Sequence, residues 1–197
     1  MRRIVPTLFA AFLGLALVAP AKAESEPMAG NVQFLVGQRY LGDYWKPLDR
    51  PAMFGVEVDF APKSSPVHVA FSAIGSADKQ KVTAPYFGET GEVGAGIGEL
   101  SAGFLWHPLK RGVVRPYLGA GLSLVYAGIG TDYFDRAETD QSFGFYGNLG
   151  IFFKIGDTFN VGLDGRLVRG TKLTLAGVDG DADYEQLSLL LGFSWGP

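Results

Sequence analysis

The strongest constraint on the fold is an alternation of apolar residues with small or polar ones. Residues 54–60 read Phe-Gly-Val-Glu-Val-Asp-Phe, so every second side chain is apolar. A strand places alternate side chains on opposite faces, whereas a helix would mix the two sets. This segment therefore predicts a β-strand with one apolar face and one polar face.

Seven further segments repeat the alternation, and the chain is rich in glycine and aromatic residues, which favours an all-β protein. The predicted strands cover residues 32–40, 54–60, 67–75, 91–107, 118–126, 143–155, 159–168 and 184–195. Most are about 9–12 residues long, enough for a tilted strand to cross a bilayer. The alternation weakens at Gly94, Gly96 and Gly98, where we predict a bulge or a change of phase.

The connections between these strands alternate in length. Those after the first, third, fifth and seventh strands are long, and the others are shorter, down to residues 156–158. Long loops on one side and short turns on the other are typical of an up-and-down barrel in the outer membrane. With an even number of strands, both chain termini lie on the side of the short turns.

Two features indicate that the apolar face points outward, toward lipid. The opposite face consists largely of glycine and alanine with few charges, which suits a barrel interior better than a surface in water. Aromatic residues of the apolar face gather near the strand ends, as at the two membrane interfaces. The predicted interface aromatics are Tyr40, Phe60, Trp106, Tyr126, Phe143, Phe153, Phe159 and Trp195. The predicted fold class is all-β, an eight-stranded antiparallel up-and-down transmembrane β-barrel.

The first 23 residues read as an export signal. Arg2 and Arg3 precede an apolar stretch at 4–19, and Ala-Lys-Ala at 21–23 is a small-x-small cleavage site. We expect residues 1–23 to be a cleaved signal peptide and residues 24–197 to form the outer-membrane barrel domain. The chain has 17 basic and 20 acidic residues, and three of the basic ones lie in this leader, so an acidic mature chain argues against nucleic acid as a partner.

The sparse charges of the polar face predict a network inside the barrel. Its expected members are Arg39, Glu57, Asp59, Glu99, Lys154, Asp164 and Arg166. Buried charges have to pair, so we interpret this set as structural, with a weakly cation-selective ion path as the alternative. The only histidines, His68 and His107, lie near the short-turn ends of that face, as rim residues or as a pH-sensitive gate.

The sequence motifs for catalysis, cofactor binding and metal binding are weak. We therefore predict no catalytic residues, no cofactor and no metal site. The chain has no cysteine and no G-x-S-x-G sequence. Residues 179–183 begin like a calcium loop, but Tyr184 and Leu190 stand where glycine and an acid are required. The acidic residues of 179–183 form an acidic rim together with Asp132, Asp135, Glu138 and Asp140. We expect this rim to be either solvated or bridged by divalent cations to lipopolysaccharide.

The last strand carries the pattern Leu189-x-Leu191-x-Phe193-x-Trp195. This pattern looks like the C-terminal β-signal read by the barrel assembly machinery, although Gly196 and Pro197 follow it. The whole mature chain resembles the small eight-stranded outer-membrane barrels, such as the OmpA transmembrane domain, OmpX and OmpW. The resemblance implies the outer membrane of a Gram-negative bacterium, with membrane lipid and lipopolysaccharide as partners, and no single activity.

The favoured function is a non-enzymatic outer-membrane barrel with a structural or surface-interaction role and a side-chain-filled lumen. Three alternatives stay open at this point. They are a small passive channel for ions or hydrophobic solutes, a lipid-modifying barrel enzyme, and a soluble barrel that binds a lipophile.

Overall fold

The structure, a computed structural model, describes residues 26–83, 90–109, 112–131, 134–175 and 177–196. The predicted signal peptide lies outside the described residues. Eight long strands are β1 (Met28–Leu41), β2 (Ala52–Pro62), β3 (Val67–Thr83), β4 (Thr90–Trp106), β5 (Val114–Thr131), β6 (Phe134–Ile155), β7 (Phe159–Arg169) and β10 (Tyr184–Trp195). A small hairpin, β8 (Leu173–Leu175) and β9 (Val178–Gly180), precedes β10, and one 3₁₀ turn covers Asp43–Trp45.

The eight long strands form one closed antiparallel barrel, which confirms the predicted fold class. Each strand pairs with its neighbour in sequence, and β1 closes the ring by pairing with β10 from Gly30–Trp195 to Leu41–Tyr184. We call the end with the long connections the loop end, and the end with the short connections and the termini the turn end. Among the described residues, no helix is long and apolar enough to cross a membrane.

The predicted orientation of the two strand faces is also confirmed. Phe54, Leu122 and Leu189 point outward with 68%, 56% and 58% of their surface exposed. Glu57 and Asp164 point into the lumen and are 2% and 1% exposed. The barrel is therefore apolar outside and charged inside, the reverse of a soluble barrel.

Strands β3, β5 and β6 extend well beyond their predicted loop ends, whereas β4 begins at Thr90, one residue before its predicted start. Much of residues 76–90 and 127–142, expected as irregular loops, continues the hydrogen-bonded ladders, as in the pairs Lys79–Gly94 and Ala127–Asp140. Apolar alternation stops where the barrel leaves the apolar layer, but backbone pairing does not depend on apolar side chains. Sequence alternation therefore found the apolar-belt part of each hairpin and missed its projecting part.

The bulge or change of phase predicted at Gly94–Gly98 is wrong. The register with β3 and with β5 is continuous there, because small side chains weaken the pattern without adding a residue to the ladder. The irregularity lies instead between Ile129 and Thr131 in the β5–β6 pairing.

Candidate functional site in the barrel lumen

Glu99 is the centre of the polar lumen. Its Oε1 atom accepts hydrogen bonds from Arg166 Nη2 at 2.5 Å and from the Ser123 hydroxyl. Its Oε2 atom accepts from the Tyr184 hydroxyl and lies 3.6 Å from Arg39 Nη2. A carboxylate shared by two guanidinium groups and two hydroxyls ties four strands to β4.

Arg39 is fully buried and reaches across the lumen from β1. Its Nη1 atom donates to the Ser76 hydroxyl at 3.1 Å and to the Ile97 carbonyl at 3.0 Å. Its Nε and Nη2 atoms donate to Gln186 and Tyr184. Because this one guanidinium donates hydrogen bonds to β3, β4 and β10, it holds these strands at a fixed distance from β1.

Arg166 is the second buried cation of this group. Its Nη2 atom also donates to the Ser101 hydroxyl at 2.7 Å, and its Nη1 atom lies 3.6 Å from Glu57 Oε2. Its guanidinium stacks 3.8 Å above the ring of Tyr146. We call Arg39, Glu57, Glu99 and Arg166 the central ion-pair network.

Every barrel strand contributes a side chain to this network or to its direct contacts. The contributions are Arg39 from β1, Glu57 from β2, Ser76 from β3, Glu99 from β4, Ser123 from β5, Tyr146 from β6, Arg166 from β7 and Tyr184 from β10. Side chains from all sides thus meet in the middle of the lumen, as expected for eight strands.

Glycines on the inner face make room for the large rings. A Cβ atom at Gly150 would collide with the Tyr117 ring, and one at Gly121 would collide with Tyr146. Tyr117 in turn donates to Asp164 Oδ2 at 2.6 Å, where Asn148 also donates at 3.3 Å. The Oδ2 atom of the predicted lumenal residue Asp164 is therefore satisfied by a phenol and an amide, whereas its buried Oδ1 atom has no hydrogen-bond partner among the described residues. Arg166 lies two residues further along β7.

Asp59 belongs to a separate group at the turn end. Both of its oxygens accept from Asn31 Nδ2, at 2.9 and 3.0 Å, and Oδ2 accepts from Gln33 at 3.2 Å. Its Oδ1 atom lies 2.5 Å from His68 Nδ1 and 3.8 Å from His107 Nε2. We call Asp59, His68 and His107 the donor cluster.

A cavity of about 720 Å³ opens beneath the donor cluster at the turn end. Both histidines line it, together with Asn31, Asn160 and Lys154. Lys154, predicted as a network member, therefore faces this cavity and stands apart from the central ion-pair network. Lys154 is the second-to-last residue of β6, so it lies on the predicted face but far from the centre of the lumen.

The loop end is closed by an apolar cap that the sequence did not reveal. Trp45 from the β1–β2 connection packs with Leu173, Leu175 and Ala182 from the β7–β10 connection, and all four are at most 2% exposed. The Trp45 indole donates to the Asp181 carbonyl at 2.7 Å. We call these four residues the loop-end cap. Strands of three residues carry too little alternation to be found from sequence.

The acidic residues of the loop end serve largely as local hydrogen-bond acceptors. Asp183 accepts from the Gly170 and Thr171 backbone, and Asp140 accepts from Thr174 N–H at 2.7 Å. The backbone N–H groups of Thr174 and Gln141, which both donate to Asp140, hold the pKa of this carboxyl below its usual range. Asp140 lies three residues closer to the loop end of β6 than the exposed Phe143. Asp132 lies outside the described residues.

All eight predicted interface aromatics point outward. Exposure ranges from 40% at Trp195 to 73% at Phe143, whereas Phe60 and Tyr126 are half-buried against neighbouring side chains. Phe60 stacks on Phe71 at 6.3 Å between ring centroids. Their contact with the membrane interfaces stays a prediction.

The comparisons with known proteins agree with this architecture. The sequence matches the family model of the outer membrane protein beta-barrel domain over residues 7–196. Similar solved structures include Ail, the attachment invasion locus protein of Yersinia pestis, in complex with the heparin analogue sucrose octasulfate. That match has a TM-score of 0.56 and 13% identity, and it covers 86% of this chain and 99% of Ail.

Two other structures show the same fold. Neisserial surface protein A gives a TM-score of 0.57 at 13% identity, with 84% of this chain and 96% of that chain covered. The N-terminal barrel domain of Pseudomonas aeruginosa OprF gives 0.50 at 16% identity, covering 84% and 99%. A search of curated protein sequences finds no significant match.

A closed antiparallel barrel with an apolar outside and a charged inside is a membrane-spanning barrel. This chain belongs to the outer membrane protein beta-barrel domain family, and its location is the outer membrane of a Gram-negative bacterium. The resemblance stated from the sequence is confirmed, and the alternative of a soluble lipophile-binding barrel is set aside. In this family the loop end faces the exterior and the turn end faces the periplasm.

Proposed function

We propose that this chain is a non-enzymatic barrel with a structural and surface-interaction role, and that its lumen does not conduct. The observation that carries this proposal is the central ion-pair network lying directly beneath the loop-end cap. Arg39 and Glu99 fill the middle of the barrel while Trp45 covers its outer mouth. A solute entering from outside would have to displace both layers.

Side-chain chemistry in the lumen supports a role without catalysis. The buried hydroxyls of Ser72 and Ser101 lie 2.6 Å apart, Ser101 also accepts from Arg166, and Ser123 donates to Glu99. His68 is engaged by Asp59. These serines are structural partners of the network, so a lipid-modifying activity has no nucleophile–base pair among them.

Cysteine labelling tests closure from the outside. Since the chain has no cysteine, Ser72→Cys places a single near-isosteric thiol at a residue 3% exposed in the lumen. Lys46→Cys places one in the exposed β1–β2 connection and serves as the matched control. In intact cells we expect a membrane-impermeant thiol reagent to label the Lys46→Cys variant and spare the Ser72→Cys variant. Labelling of both at similar rates would overturn the proposal.

The surface role includes contact with lipopolysaccharide. Arg169 is 47% exposed in its side chain, which pairs with Glu185, and it lies opposite Phe145 at the loop end of the β6–β7 ladder. Lys172, three residues further along the chain, is also exposed. Cations at this level suit lipid phosphates better than an acidic rim does. We expect thermal stability to rise on moving from phospholipid to lipopolysaccharide nanodiscs, and an Arg169→Ala, Lys172→Ala variant to lose most of that gain. An unchanged gain would contradict this part.

Other elements of the sequence analysis enter here as proposals. We propose that the signal peptide is cleaved after Ala23 and that the assembly machinery reads the alternate residues Leu189 to Trp195 of β10. The outward, exposed positions of Leu189, Leu191 and Phe193 beside β1 support the second proposal, because they form one continuous apolar stripe at the barrel seam.

A small passive channel is the second candidate, and the cavity of about 720 Å³ at the turn end favours it. Such a channel would need the central ion-pair network to open. Reversing the charge of Glu57 or Glu99 should then change ion selectivity, an effect that a closed barrel has no means to produce.

A further inference from the structure

We propose that Asp59, His68 and His107 bind one divalent transition-metal ion, with Zn²⁺ as the reference ion, at the head of the periplasmic cavity. This inference is independent of the proposed surface role. Three potential ligand atoms, Asp59 Oδ1, His68 Nδ1 and His107 Nε2, lie within 4.8 Å of one another. Two imidazoles and one carboxylate are a donor set that zinc uses with an open fourth position.

The distances suit a site that closes on the ion. Ligands at 2.0–2.2 Å in a tetrahedron stand about 3.3 Å apart. The two separations from Asp59 Oδ1, 2.5 Å to His68 Nδ1 and 3.8 Å to His107 Nε2, lie on either side of that value. A shift of about one ångström in two side chains would complete the set, and the ion would replace the proton between Asp59 and His68.

His107 supplies the second observation that points to a ligand. Its Nε2 atom is buried and has no hydrogen-bond partner among the described residues, although it is aimed at Asp59. The ring is held at 5.9 Å from Tyr117 and 6.2 Å from Phe152 between centroids, and at 4.5 Å from His68. A buried imidazole nitrogen fixed in place without a partner is suited to a metal ion.

The carboxylate is already oriented for this role. Asn31 donates to both oxygens of Asp59, and Gln33 donates to Oδ2, so Oδ1 is the atom presented to the two histidines. Outer partners of this kind fix the orientation of metal ligands. Calcium and magnesium prefer sites made only of oxygen ligands. Two imidazole ligands therefore favour Zn²⁺ and other divalent transition-metal ions.

The cavity provides the route and the fourth position. His68 and His107 both line it, so an ion reaches the site from the periplasm and keeps one face toward the cavity. Three basic residues, Lys63, Arg115 and Lys154, and one acidic residue, Glu26, line the same cavity. The excess of positive charge would favour an anion over water as the fourth ligand.

The test uses untagged, folded protein in detergent micelles, stripped with a chelator. The full sequence holds only two histidines and no cysteine, so an untagged chain offers no competing imidazole or thiolate. We expect calorimetry to give one Zn²⁺ per chain, and Co²⁺ to give the visible absorption of a four-coordinate site. The His107→Gln variant should bind more than about 100-fold more weakly, a larger loss than that of an outer partner.

Lys154→Gln is the matched control, since it alters the same cavity without touching a donor and should keep full affinity. If His107→Gln fails to fold, the imidazole NMR signals of the unmodified protein decide: Zn²⁺ must shift both histidines. The proposal is overturned by an absence of binding at millimolar Zn²⁺, by histidine signals that do not move, or by equal affinity in a folded His107→Gln variant.

Discussion

The two ends of the barrel differ in how far they are closed. At the loop end, Trp45, Leu173 and Leu175 form an apolar lid over the mouth. At the turn end, the lumen opens into a polar cavity headed by His68 and His107. The central ion-pair network separates the two. The mouth of the outer half is therefore covered by apolar side chains, whereas the inner half is open at the turn end, so the lid suits a barrier and the cavity suits a binding site.

The largest effect on stability is expected in the central ion-pair network, where the two halves meet. Glu99→Ala leaves Arg39 and Arg166 buried without their shared carboxylate, so the free energy of unfolding should fall by about 3–5 kcal/mol. Urea unfolding in micelles, followed by the gel shift of folded and unfolded barrel, measures this loss. Glu185→Ala removes only the exposed pair with Arg169 and should change the same quantity by less than about 1 kcal/mol. Equal losses in the two variants would refute the role assigned to Glu99.

The loop-end cap gives the next largest effect. Trp45→Ala removes a buried indole and its hydrogen bond to Asp181, so the local opening free energy of the β8–β9 hairpin should fall by about 3 kcal/mol. Amide hydrogen exchange in this hairpin checks the value. Tyr44→Phe loses a single hydrogen bond to Val178 and should cost about 1 kcal/mol. Unchanged exchange in the Trp45→Ala variant would mean that the cap does not hold the hairpin.

In the inner half, loss of the Tyr117 hydroxyl should lower the free energy of unfolding. Tyr117→Phe takes away the shorter of the two hydrogen bonds to the buried Asp164, which should cost about 1–3 kcal/mol of unfolding free energy. Asn148, the longer partner, cannot replace it. Urea unfolding again provides the measurement, and a variant as stable as the parent would show that Asp164 is satisfied by other groups.

The smallest effect is a pH dependence at the loop end. The lowered pKa of Asp140 means that its bond to Thr174 N–H stabilises the hairpin above the ordinary carboxyl pKa. That stabilisation is lost as the pH falls through the lower folded pKa. The Thr174 amide NMR signal should titrate below about pH 3.8 in the parent protein and stay constant in Asp140→Asn. Titration near neutral pH would contradict this assignment.

Much of the fold was predictable because a strand has a period of two. Glu57 and Leu189 could be assigned to opposite faces without knowledge of any neighbour. The cap could not be predicted, since it depends on two connections meeting across the barrel mouth. The donor cluster escaped for a similar reason. His68 approaches Asp59 diagonally across the β2–β3 ladder, and His107 lies past the end of β4, so only the register between strands brings the three together.

The central claim is that side chains close this barrel, and conductance across a planar lipid bilayer tests it most directly. With purified protein inserted in the bilayer, we predict no unitary current steps from the parent protein over a range of voltage. Steady, reproducible steps whose ion selectivity changes when the charge of Glu99 is reversed would contradict the account and favour a channel.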